Sequence, residues 1–150
     1  MRLPALEAPE ATVFITDSGD NITAGAAGDG TLVLEQLLDY RVPDAVLAGI
    51  VDPEAVGQCE DAGVGAEVHL IVGGKIDSVY SRPFAISGKV IRLGKALPVF
   101  KEPTALVQVD GVLLVQGHAL QLPFADDTFD VTTGTPQAIA SRGGRPNPSY

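Results

Sequence analysis

The sequence predicts an α/β fold made of two unlike halves. An N-terminal βαβα unit with parallel strands is followed by a mostly antiparallel β portion and then by a disordered C-terminal tail. Three observations predict this. Two apolar runs, ATVFITD (11–17) and DAVLAGIVD (44–52), are each followed by a stretch of helical character, which is the order of parallel strands joined by a right-handed crossover. Downstream, AEVHLIVGG (66–74) alternates, and Asp110-Gly111 stands between two apolar runs, a hairpin signal. After Leu122 the periodicity fades, and the last nine residues hold two glycines, two prolines and two arginines, a composition without a core-forming pattern.

Taken in order, residues 1–10 read as a linker, 11–122 as the domain and 123–150 as the low-signal tail. The first strand, 11–17, ends in an acid. The spacing of Leu34, Leu37 and Leu38 puts them on one face of a helix over 31–40. Pro43 marks a turn, and a buried strand follows over 45–51. Asp52 can accept from the free N–H groups of a helix start, Pro53 suits the first helical position and Glu54 favours the positive end of the dipole. Gly63 suits the position after the helix end, so this helix spans 53–62. Strands are predicted over 66–74 and 83–94, the second with Gly88 as a candidate bulge. Two more fall within 104–117, around Asp110-Gly111.

The totals exclude several function classes. Of 150 residues 45% are apolar, enough for a packed core. No apolar run approaches the roughly 18 residues of a membrane span. The start, MRLPALEAPEATV, has no long apolar segment and does not read as a signal peptide. With one cysteine, a reducing cytoplasm is the expected setting, and no disulfide can form within the chain. The net charge is −9 and the ten Lys and Arg residues are scattered, which argues against nucleic acid, whose phosphates need clustered cations. Cys59 reads as a small, partly buried apolar residue, with no CxxC or Cys/His spacing around it.

The densest chemistry lies in ITDSGDNITAGAAGDG, Ile15 to Gly30, with three aspartates, one asparagine and four glycines. A phosphate cradle fits the strand-to-helix placement. The spacing does not match GxGxxG or GxxxxGK[ST], and Asp17, Asp20 and Asp29 would repel a phosphate. The pattern of an EF-hand is not met either. Asp20 follows a strand, where open α/β sheets place their sites. There a carboxylate can ligate a metal, orient a ligand or take a proton, Asn21 can donate to an oxyanion, and the glycines allow close approach of a substrate. The bland alternative is a turn whose Asp and Asn side chains satisfy loop N–H groups. His69 and His118 have no second ligand at metal spacing, and no GxSxG or HExxH is present.

Several ordered motifs carry a resemblance over residues 11 to about 115. They are Asp20-Asn21, the Gly/Ala-rich stretch 24–27, Gly28-Asp29, Asp52-Pro53-Glu54, Gly63-Val64-Gly65 and Gly73-Gly74-Lys75. Together they resemble the C-terminal domain of the microcystin-degradation protein MlrC family, bacterial zinc-dependent metallopeptidase-like proteins. The resemblance implies a chain that contributes Asp20 and Asn21 to an active-site cleft. Asp20 would also be a candidate metal contact, and Gly25, Gly28 and Asp29 would support a peptide-like substrate. It implies zinc, held mostly by a separate N-terminal metal-binding domain that acts in cis or in trans. Near residue 115 the sequence departs from the family pattern, where an arginine-containing stretch is expected. The departure predicts an incomplete or shifted ending. The reading from a different class is a non-catalytic α/β binding or interaction domain.

Overall fold

The computed structural model describes residues 7–9, 12–95, 103–116 and 138–141. Among the described residues seven strands form one sheet in the order β1-β7-β2-β6-β5-β4-β3. They are β1 (Thr12–Ile15), β2 (Ala45–Ile50), β3 (Glu67–Val72), β4 (Phe84–Lys95), β5 (Pro103–Val109), β6 (Val112–Gln116) and β7 (Ala138–Ser141). Two helices, α1 (Leu32–Asp39) and α2 (Pro53–Ala62), and a 3-10 turn at Ile22–Ala24 are the other elements among the described residues.

The N-terminal half forms the predicted strand-helix-strand-helix unit. β1 and β2 run in the same direction but do not touch: β7 lies between them and pairs antiparallel with both. β2 pairs parallel with β6, and β3 to β6 form an antiparallel meander. β2 is buried at all its positions, as expected for a central strand covered on both faces. The helix predicted over 53–62 is α2. Asp52 accepts from the Ala55 N–H at 3.0 Å, Pro53 stands in the first turn, and Gly63 (φ 83°) ends it. At the β5–β6 turn Asp110 and Gly111 both take positive φ, 42° and 86°, as a two-residue hairpin of type I′ requires. On α1, Leu34 and Leu37 are buried and Leu38 packs beside them.

Three details differ from the sequence reading. Gly88 is no bulge: it pairs in regular register with Val68. A side chain there would run into the Gln108 carbonyl and Val107, so the glycine admits a close approach of β5. The slip in β4 falls instead between Val90 and Arg92, which a pattern of side-chain types does not reveal. The stretch after residue 122 contributes β7. Four residues, AIAS, are too few to show a period, and long-range pairing alone makes them a strand. The rest of the 123–150 tail, residues 1–6 and 10 of the linker, and His118 lie outside the described residues.

The core places Leu34, Leu37, Val56, Val72, Val90, Val107 and Leu114 together. α2 packs on β3, β4, β5 and β6. Although β3 sits four strands from β2, the segments that follow them meet: the Gly73 N–H donates to Asp52 Oδ2 at 2.9 Å. The β3–β4 arm therefore curls over α2, with the slip in β4 supplying the bend.

Candidate functional site

Three strand-following segments converge at one end of this curled sheet: 16–31 after β1, Val51-Asp52 after β2, and 73–83 after β3. Aspartates tie them together. Asp20 accepts from the Gly28 and Gly30 N–H groups, one at each oxygen, both at 2.7 Å. Its ten-residue reach closes the loop upon itself. Gly30 must be glycine-sized, since a Cβ there would press on the Asp20 carboxylate. The Val51 N–H donates to the Gly28 carbonyl at 2.8 Å, which fastens the loop to the end of β2.

Asp29 is wholly buried. Its Oδ2 accepts from the N–H groups of Lys75 at 2.8 Å and Ile76 at 2.6 Å, and its carbonyl accepts from Gly74 at 2.8 Å. The consecutive N–H groups of 74–77 form a concave anion receptor, and Asp29 fills it from within the chain. Asp52 holds the start of the same segment. Besides capping α2 and accepting from Gly73, it lies 3.1 Å from Lys75 Nζ, which also reaches Glu54 at 2.8 Å. Burial pulls the Lys75 ammonium down, but the hydrogen bonds to Glu54 and Asp52 outweigh it and leave its pKa above the usual lysine value.

On the other flank, Thr31 Oγ1 lies 2.9 Å from both Glu35 Oε1 and the Arg82 carbonyl, and Arg82 reaches Glu35 Oε2 at 2.7 Å. The hydrogen bond from Arg82 lowers the Glu35 pKa, helped by Thr31 and opposed by burial. Asp77 accepts from the Val79 and Tyr80 N–H groups at 2.9 and 3.1 Å, shaping the outer turn.

Between these segments lies a cleft of about 390 Å³ bordered by Asp17, Asp20, Asp29, Thr31, Leu32 and Tyr80 among others. Of the residues singled out in the sequence, Asp20 and Asp29 border this cleft. Asn21, Gly25 and Gly28 do not. The Asn21 carbonyl accepts from Ala24 and Ala26, so it stabilises the 3-10 turn, and Gly28 packs against Ile22 and Val51. The sequence reading missed Asp77, Ser81 and Arg82. Their only signal was nearness to Gly73-Gly74-Lys75, and their placement depends on the β3–β4 arm folding over.

The sequence model of the family described as MlrC C-terminus matches residues 15–138. The chain belongs to this family. The MlrC match continues past residue 115, where the sequence reading had placed a departure, and reaches the start of β7. The chain is also 35% identical over 83 residues to microcystinase C of a Sphingomonas species, covering 55% of this chain and 16% of that protein. A solved structure from Mesorhizobium sp. BNC1, described as a candidate metallopeptidase, shares the fold with a TM-score of 0.54 at 22% identity. That likeness covers 69% of this chain and 23% of the other. The chain thus spans less than a quarter of the length of either relative.

The resemblance drawn from the sequence motifs implies a metal. Among the described residues no three His, Cys, Asp or Glu side chains gather as a metal-holding group. Asp20 already receives an amide at each oxygen, and Asp29 is enclosed by amides. The described residues do not by themselves fit a metal centre.

Proposed function

We propose that this chain is the C-terminal portion of an MlrC-type hydrolase that cleaves peptide or amide bonds. It forms one wall of a cleft whose other wall, together with the ligands for zinc, belongs to an N-terminal domain acting in cis or in trans. The observation that carries this reading is the family match over most of a chain that covers 16% of microcystinase C. When bound, the metal would supply an activated water for hydrolysis. This chain's residues would shape the substrate side. Asp20 borders the cleft and holds the Gly28 and Gly30 amides in place. Asn21, beside it, orders the turn through its backbone. Asp29 fixes the opposite rim, so that the cleft keeps its shape as substrate enters.

The geometry decides which substitution tests Asp20. Asp20→Ala would release two amides and loosen the loop, so lost activity could reflect lost structure. Asp20→Asn keeps the size and one acceptor oxygen but sets an NH₂ against the other loop amide, so a loss of activity counts only at temperatures where the variant stays folded. The chain would be combined with the N-terminal portion of a family member, and peptide hydrolysis followed together with thermal unfolding. The reading expects no activity from the chain alone, activity on complementation, and a fall in kcat of about a hundredfold or more for Asp20→Asn. Zinc-dependent hydrolysis by the pure chain, or full activity of the complemented variant, would refute it.

One observation favours a second reading, a non-catalytic α/β binding or interaction domain. Asp17, Asp20 and Asp29 all accept from loop backbone, the ordinary role of aspartate in turns. On that reading Asp20→Asn lowers stability and no complementation produces activity.

A further inference from the structure

The rim of the cleft carries an apolar surface with nothing of the described chain over it. Leu32 is 65% exposed, Ile76 62%, Val79 79% and Tyr80 91%. Leu32 and Tyr80 border the same cleft, and Ile76 and Val79 stand on the loop that carries Tyr80. This loop is not slack. Asp29 holds the amides of residues 75 and 76, and Asp77 holds those of 79 and 80. Four backbone bonds keep the apolar side chains pointing away from their own core. Ion pairs stand at its edges: Lys75 with Glu54, and Arg82 with Glu35. An apolar centre with a charged rim, presented on a backbone that needs no reordering, is the composition of a protein–protein contact.

We infer that Leu32 and the loop 75–80 form the docking surface for the N-terminal portion of the same family's polypeptide. The inference rests on the two-part reading above and adds the surface through which the two parts meet. Two findings select this occupant. The matching family region is a C-terminus, so in its relatives most of the polypeptide precedes it, and the chain covers 16% of one relative and 23% of the other. The apolar rim also borders the cleft itself, so a portion seated there would close the open side of the cleft.

The test uses the whole 150-residue chain. It is titrated calorimetrically with microcystinase C of the Sphingomonas species lacking its matching C-terminal region, a preparation used only once circular dichroism and a cooperative thermal transition show it folded. Val79→Asp and Ile76→Asp should each weaken binding by about tenfold or more. Val64→Asp, equally exposed at the far end of β3, should leave it unchanged, and circular dichroism would confirm that all three variants fold. Binding that ignores Val79→Asp and Ile76→Asp overturns the docking surface while leaving the two-part reading intact. No binding by the unaltered chain counts against both. Concentration-dependent self-association abolished by Val79→Asp would make the surface a contact between two copies, and would also overturn the inference.

Discussion

At Asp29 a carboxylate is fully enclosed, and its oxygens accept from N–H groups of the chain that follows β3. Charge-assisted bonds of this kind are among the stronger ones, and a buried donor left unmatched costs more than the bond contributed. Asp29→Asn turns an acceptor into an NH₂ group facing other donors. It should lower stability by about 2–3 kcal/mol in urea unfolding followed by circular dichroism. Glu35 predicts a pH effect. Its pKa is lowered in the folded state by the Arg82 hydrogen bond, so its contribution is present above the unfolded value of 4.5 and lost as pH falls through the lower folded value. Arg82→Gln should therefore flatten the acid limb of a plot of melting temperature against pH, with no change near neutrality in its slope. Asp20 and Asp29 were both legible in the sequence as unusual. Their partners were not, because those lie 8 to 48 residues away.

At the level of elements, α2 and the β5–β6 hairpin were legible because their signals are local. Asp52, Pro53 and Gly63 each act on the backbone within one turn, and Asp110-Gly111 closes its hairpin unaided. The loop after β3 is different. Gly73 and Gly74 have φ of 61° and 57°, and a Cβ would meet the Asp29 carbonyl at the first and the Arg82 backbone at the second. Gly74→Ala combines backbone strain with a clash against main chain that cannot rotate aside. It should cost more than about 2 kcal/mol, measurable as a lower urea midpoint, and should also raise amide exchange at residues 75–77. At Arg41, which ends α1 with φ 48°, the reverse holds. Arg41→Gly should raise the same midpoint by about 0.5–1 kcal/mol of stability, because glycine accepts that conformation without strain.

At the level of the molecule, the acidic chain folds as a mixed sheet curled over α2. The cleft depends on that curl, since it brings the end of β3 to the end of β2. A change that straightens β4 should open the cleft without touching any residue in it. Ile91, the extra residue at the slip, is the place to test this. Deleting Ile91 should restore regular register, and it should expose the amides of 75–77 to hydrogen exchange while leaving those of β2 protected.

The sequence by itself determined the half-and-half character of the fold, both helices, the hairpin and the family, because each rests on residues close together in the chain or on ordered motifs. Tertiary structure alone decided that β7 inserts between β1 and β2, that β4 slips at Ile91 and not at Gly88, and that Asp29 faces inward to hold a loop some 46 residues away. Those outcomes depend on which backbone groups remain unpaired once the sheet has assembled. Short-range patterns of polarity carry no record of that.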